Sequence, residues 1–386
     1  MKVLMVTPFP IDSQTIEGGV QAVAYYLSQG LTNTKEIDLH VLIPLNGPGY
    51  FKYKEKKENS GFDFDDRIKI HLYRNKRFQT LTNYFLDKKF LIQKIKSINP
   101  DIVHAQGSGR NSIVAALSGY PSVTTLHGVF KKEEVFYRNI HEKLSLKLRS
   151  LHEKKIFKKI KNLIIINKYV AEEIDAKHNA NLFYINNPIK NDFFKIQREP
   201  IRQRLLFPNG IRERKDLVTL LKAMKILRKK FPSFSLHITG MNEGKEYFDK
   251  IVQLVNQYDL SNNIEILGTI SEDRLFEEYR DAEILVMSSL EETSPMAIEQ
   301  AMACGLPVVS TRAGGVPYMI EHKKTGLLVD IGDAGGIANM IELLFHNETL
   351  KNEIIKNTKL KAMKEYHIDS IIKETINTYK TILEQN

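Results

Sequence analysis

Two successive series of short apolar runs, each separated by stretches with helical spacing, constrain this chain more than any other feature of its sequence. The runs MKVLMVTPF, IDLHVLIPL, DIVHAQ, SVTTLHG and LIIINK make the first series. After residue 200 the pattern restarts with RLLFPNG, SLHITG, IEILG, EILVMSS, LPVVST and GLLVD. The runs are rich in Val and Ile and mostly do not alternate with polar residues, as befits strands buried on both faces of a parallel sheet. Between them lie GVQAVAYYLSQGL, NSIVAALSG, KDLVTLLKAMKILRKKF, EYFDKIVQLVNQY and PMAIEQAMAC, which read as helices. Strand, helix, strand in repetition predicts the α/β class with doubly wound sheets. A length of 386 residues, at roughly 150 residues per domain, fits two domains. We place them at 1–198 and 199–365, with an amphipathic helix over 366–386, and read the polar segment 185–203, with its two prolines, as the linker. Ligands bind such sheets at the C-terminal ends of the strands, so the loops there are where function is expected.

Composition narrows the class. With 42% hydrophobic and 26% charged residues the chain is globular, and no run approaches the roughly 20 apolar residues of a membrane span. The opening residues read as a buried first strand rather than a signal segment. The single cysteine, Cys304, fits a reducing compartment. The net charge of +10 is concentrated: Lys131 to Asn162 holds eleven Lys and Arg against four acids. In the same stretch Leu144, Leu148, Leu151, Ile156, Phe157 and Ile160 recur at helical spacing. Two readings stay open. One is a solvated helix whose Lys stems cover the core edge. The other is a basic amphipathic face that docks on an anionic membrane surface. Aromatic residues are not interleaved as a base-stacking platform requires, so nucleic acid is not expected as a partner.

The segment Ser288 to Thr311, SSLEETSPMAIEQAMACGLPVVST, carries the most chemistry. It follows a strand. Ser294 is expected to cap a helix whose first residue is Pro295, and Gly305 to end it. A helix N-terminus opening beyond a strand end is an anion site, with Glu292 just before it and Gln300 further along.

With the run Ala301-Met302-Ala303-Cys304-Gly305-Leu306-Pro307-Val308-Val309, this segment resembles the donor-site signature of the family 4 glycosyltransferases. Those enzymes have the GT-B fold: two Rossmann-like domains facing each other across a cleft, with a C-terminal helix crossing back to the first. In the family a Glu, seven residues and a second Glu lead into that run. Here the first is Glu292, and the second position holds Gln300. Glu291 and Glu299 repeat the spacing one residue earlier, but sliding there breaks the match, and one residue turns a helix by about 100°. The resemblance implies that Glu292 faces the donor sugar and that Gln300 hydrogen-bonds the ribose, as an amide can. Thr293, Ser294, Pro295 and Met296 would border the diphosphate.

Other matches extend over nearly the whole chain. Gly18-Gly19-Val20 resembles the family's glycine pair, whose backbone approaches the diphosphate; a lone glycine pair is otherwise a flexible turn. His127, before Gly128, resembles the TxHG motif, whose His bonds the donor sugar or supports the reacting centre. His104 is read as structural, and the family's second His is here Gln106. The segment from Asn209, NGIRERKDLVTLLKA, resembles G-R-x-x-x-x-K-G. Lys215 matches the Lys, while the Arg position holds Gly210, leaving Arg212 or Arg214 to supply the second cation. The resemblance implies that the Leu267 to Ile270 strand end contacts the base; Gly240 is a similar strand-end glycine taken into the donor site, and Arg312 to Val316 resembles a GG-V/I-x-E element at the site's border. There is no His-Glu-x-x-His, no cysteine pair, no Walker loop and no Gly-x-Ser-x-Gly elbow. No metal and no cofactor are expected, with basic groups and helix ends balancing the phosphates.

The expected function is therefore a retaining, metal-independent glycosyltransferase. It would move a hexose-type sugar from a nucleotide-diphosphate donor, UDP- or GDP-type undecided, to a hydroxyl of a glycan or lipid-linked acceptor in cell-surface glycan or glycolipid assembly. The expected location is cytoplasmic, peripheral to the inner membrane face. Two alternatives stand beside it. A sugar-nucleotide epimerase of the same fold would make an epimer without acceptor. An inactive sugar-nucleotide-binding partner would release no nucleotide when given one.

Overall fold

The computed structural model describes residues 1–13, 16, 18–59, 61–62, 64–75, 85–128, 140–174, 179–242 and 244–385. The chain divides into two compact units, Met1–Pro188 with Ile368–Asn386, and Ile189–His367.

The first unit is built on a sheet of β1 (Lys2–Val6), β2 (Asp38–Leu45), β3 (Ile68–Arg74), β4 (Ile102–Gln106), β5 (Ser122–Leu126), β6 (Asn162–Ile165) and β7 (Asn181–Tyr184). The strand order is β3-β2-β1-β4-β5-β6-β7, and every pairing is parallel. The five interior strands are the five apolar runs read from the sequence. The two edge strands, β3 and β7, are not among them. Of β3 only Ile68 is buried, and no residue of β7 is.

Alternation along the interior strands sorts their side chains onto two faces. On one, Val103, Ala105, Leu126 and Leu163 pack with Leu91, Ile95, Ile113 and Phe157 into an apolar core. On the other, His104 and Gln106 of β4 lie beside Thr125 of β5. The C-terminal helix Ile368–Glu384 belongs to this unit and buries Tyr379 completely. It also packs against the helix Gly19–Asn33, whose Gly30 has no room for a side chain: a Cβ there would lie 2.5 Å from Ile372.

Residues 131–139 of the basic stretch lie outside the described residues. The helix Ile140–Phe157 follows. Leu144 and Leu151 are 57% and 51% exposed, whereas Ile156, Phe157 and Ile160 are buried. Among the described residues no helix is long and apolar enough to cross a membrane.

The second unit has β8 (Arg204–Phe207), β9 (Ser235–Thr239), β10 (Ile264–Gly268), β11 (Ile284–Met287), β12 (Val308–Thr311) and β13 (Leu327–Val329), in the order β10-β9-β8-β11-β12-β13 and again all parallel. All six are the runs read from the sequence. Its core gathers Leu205, Phe207, Leu220, Met224, Ile238, Val286, Val309 and Ile341. Residues 189–203, read as a linker, are packed into this unit. The short helix Asn191–Lys195 buries Phe193 edge-on against Phe276 and Tyr279, with ring centroids 4.8 and 5.4 Å away.

Both sheets reverse their winding between two central strands, β1 and β4 in the first unit and β8 and β11 in the second. A doubly wound sheet opens a crevice at that reversal, beyond the strands' C-terminal ends. That point selects the loops considered next.

Candidate functional site

In the second unit the loops after β8 and β11 meet around one carboxylate. Lys215 closes a single 3-10 turn, Glu213–Lys215, and Asp216 beyond it adopts the left-handed conformation and caps the following helix Leu217–Arg228 through Thr219 N. This fold-back drives Lys215 inward until it is only 6% exposed, and Glu292 is 4% exposed. Lys215 Nζ donates to Glu292 Oε1 at 2.5 Å and lies 3.4 Å from Asn209 Oδ1. Arg214 Nη1 donates to Glu292 Oε2 at 3.1 Å and to the carbonyl of Glu291 at 2.6 Å. Ser289 Oγ donates to Glu292 Oε1 at 2.6 Å. The backbone is stitched as tightly, with Leu290 N donating to Arg214 O and Gly315 N to Glu292 O.

Two guanidinium or ammonium groups against one carboxylate leave a surplus positive charge in a dry place. Burial raises the energy of the Glu292 anion, yet Lys215 and Arg214 outweigh it and hold the carboxyl at about 2. Burial pushes Lys215 down to about 8, with the Arg214 and Arg212 charges helping and Glu292 opposing. Of the two arginines left open by the sequence, Arg214 thus bonds the cluster directly, and Arg212 acts on Lys215 through space.

At Gly210, which the resemblance sets against the family's arginine, the backbone leaves no room for a side chain. Its φ is 68°, and a Cβ there would run into the carbonyl oxygen of Met241. Gly240, φ 109°, faces it, and a Cβ at that position would lie 2.7 Å from Gly210 N. The two glycines let the β8 and β9 loops touch backbone to backbone, with Gly210 N donating to Thr239 O and Ile211 N to Met241 O. Gly240 therefore serves this backbone packing, while Leu267 sits half-buried at the end of β10.

The helix beyond Glu292 departs from the expected cap. It spans Met296–Cys304, with Pro295 at the cap position in an extended conformation and without a side-chain hydrogen bond. Proline has no polar side-chain atom, so the cap residue itself takes up none of the first-turn N–H groups. Ser294 lies one residue before the cap position, and its hydroxyl donates to Glu299 Oε1 at 2.7 Å. Gly305 ends the helix in the left-handed conformation, as expected. Gln300 is buried, and its Oε1 accepts from Tyr279 Oη at 3.0 Å. Thr293 is half-buried in the loop.

Gly18, Gly19 and His127 belong to the first unit. Gly18 precedes the helix Gly19–Asn33 at its cap position with φ 87°, exposed and with open space around it. His127 follows β5 and is half-buried, with Nε2 2.6 Å from Gln106 Oε1. His104, in mid-strand, is buried and fully engaged, 2.6 Å from Tyr379 Oη through Nδ1 and 2.7 Å from Thr125 Oγ1 through Nε2. Burial depresses both rings, His127 to about 4 and His104 to about 3, so both are neutral near pH 7.

Sequence reasoning passed over one triplet, Asp63-Phe64-Asp65, as a possible metal pattern. Asp63 lies outside the described residues, and Asp65 is held by Arg67, whose Nε donates to Oδ1 at 2.8 Å. Among the described residues no group of three His, Cys, Asp or Glu side chains is placed to hold a metal. Reasoning from motifs also missed Ser289 and Tyr379, which no motif marks and only tertiary contact reveals.

The architecture is shared with known proteins. The model for glycosyl transferases group 1 matches residues 188–361, and that for glycosyltransferase family 4 matches residues 17–193. A D-inositol 3-phosphate glycosyltransferase of Pseudarthrobacter chlorophenolicus is 31% identical over 166 residues, covering 42% of this chain. The chain spans only 39% of that relative's own length. Among solved structures, sucrose-phosphate synthase of Thermosynechococcus elongatus superposes over 100% of both chains with a TM-score of 0.80 at 16% identity. HepE of Anabaena, in complex with UDP and glucose, superposes over 99% of this chain and 100% of its own with a TM-score of 0.73 at 16% identity. Two Rossmann-like units with these neighbours define the GT-B class. The chain belongs to family 4 of the glycosyltransferases.

Proposed function

We propose that the chain transfers a hexose-type sugar from a nucleoside-diphosphate sugar to an acceptor hydroxyl, with retention of configuration. The observation that carries this reading is the Lys215–Glu292–Arg214 cluster at the winding reversal of the second sheet, with Glu292 four residues before a helix that starts at Met296. Breaking the bond between the anomeric carbon and the phosphate oxygen leaves the electron pair on the diphosphate. Fixed cations and a helix N-terminus in a dry site stabilise that charge without reorganising. Glu292, kept ionised by its neighbours, is assigned to accept hydrogen bonds from the donor sugar. The acceptor hydroxyl attacks from the face the diphosphate leaves and gives its proton to a departing phosphate oxygen, so no protein nucleophile is needed. His127, neutral, is assigned to a substrate hydroxyl. Binding of UDP in the HepE structure supports the donor class, and a role in glycan assembly is part of the same proposal.

The test is a thermal-shift panel of nucleoside diphosphates. A ligand at a hundredfold excess over its Kd stabilises the folded form by about 2.7 kcal/mol. For a unit the size of residues 189–367 each kcal/mol is worth about 2–4 °C in Tm. One of UDP and GDP should raise the transition by several degrees; if no nucleoside diphosphate does, the reading is wrong. With a turned-over donor in hand, the anomeric configuration of the product decides retention.

The pH profile follows from the cluster. Lys215 serves as a cation, and its proton is lost around pH 8. The donor's kcat/KM, which reports groups of the free enzyme, should fall as pH rises through about 8. In Lys215→Arg, whose guanidinium stays charged, the fall should vanish. A flat wild-type profile from pH 7 to 10 would remove Lys215 from the donor site.

A further inference from the structure

We propose that Tyr379, His104 and Gln106 form a positioning chain that fixes His127 in the tautomer protonated at Nε2, presenting its Nδ1 as a hydrogen-bond acceptor. This rests on the assignment of His127 made above. The chain starts from strand geometry. His104 and Gln106 are two apart on β4, as Thr125 and His127 are across the end of β5, and Gln106 pairs with Thr125 in the parallel register. Period-two alternation therefore sets all four on one face of the sheet. The opposite face of the same strands, through Val103, Ala105 and Leu126, is apolar core. The C-terminal helix covers the polar strip and brings Tyr379 edge-on against His104, ring centroids 5.6 Å apart.

Donor and acceptor roles then run in one direction. Gln106 Nε2 points at His104 Nε2, 3.2 Å away. An amide NH2 only donates, so His104 Nε2 must accept, from Gln106 and from Thr125 Oγ1 together. A neutral ring with a bare Nε2 carries its proton on Nδ1, and that proton goes to Tyr379 Oη at 2.6 Å. With its NH2 committed to His104, Gln106 turns Oε1 to His127 Nε2 at 2.6 Å, where an oxygen acceptor requires a proton. His127 Nδ1 is then the bare nitrogen, able to receive a substrate O–H. Desolvation keeps both rings neutral, so the tautomer is what the chain sets. The cavity bordered by His104, Gln106 and Thr125 is about 20 Å³, room for about one water and far too small for a sugar. These groups therefore act through His127, not on a ligand of their own.

The experiment is nitrogen NMR of the full chain labelled in its histidine rings, with His127→Asn and His104→Asn assigning the signals. The expected result is protonation of His127 at Nε2 and of His104 at Nδ1. Gln106→Leu should leave His127 mixed between tautomers and lower donor kcat by up to about 10²-fold, as small misplacements do, with KM changed little. Gln106→Glu, which keeps the acceptor oxygen, should restore both. Tyr379→Phe removes one oxygen atom from a filled site, and should shift the His127 tautomer in the same sense even where Gln106→Leu fails to fold. His127 protonated at Nδ1 in the wild type, or unmoved in both variants, overturns the proposal, as does unchanged turnover in a variant whose tautomer has shifted. A wild-type chain that responds in its tautomers but turns over no nucleotide sugar strikes the assigned activity and upholds the chain.

Discussion

Lys215→Ala is expected to lower donor turnover by about 10²-fold or more, since removing a single charge-stabilising donor from a preorganised site typically costs that much. The structure makes the expectation specific. Lys215 is not a surface lysine that a neighbour could replace: it is buried and its Nζ reaches Glu292 at 2.5 Å. Its loss removes one of the two cations and leaves Glu292 with Arg214 and Ser289. Breaking a buried pair by deleting one partner can cost about 3–5 kcal/mol, and the two remaining donors should hold the loss to the lower end or below. Two readouts separate folding from chemistry. Tm reports the stranded carboxylate, and kcat at temperatures well under the transition reports the leaving group. Removing the carboxylate as well, in Lys215→Ala with Glu292→Gln, should recover Tm and leave kcat low. Full activity in Lys215→Ala would show that the diphosphate is held elsewhere.

What the sequence made legible in the first sheet follows burial. Every interior strand announced itself as an apolar β-branched run, because both of its faces are dry. The edge strands β3 and β7 did not, since IKIHLYR and NLFY mix polar and apolar residues as half-solvated edges do. Lys215 and Glu292 were found through motif spacing, which encodes the loop lengths after β8 and β11. Their bond to each other was not legible, for it joins positions 77 residues apart. The helix cap was misread for a local reason. Ser294 before Pro295 has the composition of a cap, but the helix begins one residue later than expected, at Met296, which puts Pro295 at the cap position. Tyr379 could not have been found at all, because its partner His104 lies 275 residues away and neither sits in a motif that names the other.

Gly210→Arg, which writes the family's arginine back into its place, is expected to damage the protein and not improve it. Motif logic predicts the opposite, a second phosphate cation regained. The backbone decides against it. A non-glycine residue at φ 68° costs about 1–2 kcal/mol. The added Cβ meets the carbonyl oxygen of Met241, and 3.1 Å away its nitrogen, both main-chain atoms fixed by the Gly210 and Ile211 hydrogen bonds to the β9 strand end. Shifting packed backbone costs about 1–3 kcal/mol more. Together these amount to about 3 kcal/mol, a fall of roughly 6–12 °C in the Tm of the second unit. The strain comes from Cβ and not from the charge, so Gly210→Ala should lose a comparable amount, and the two variants measured side by side isolate the cause. In the same loop Arg214 already bonds Glu292 from a position the backbone tolerates, so Arg214→Ala in the wild-type background should weaken nucleotide binding where Gly210→Arg fails to strengthen it. A Gly210→Arg protein of undiminished Tm that binds nucleoside diphosphate more tightly would mean that the cation at this site was lost, and that Arg214 had not taken its place.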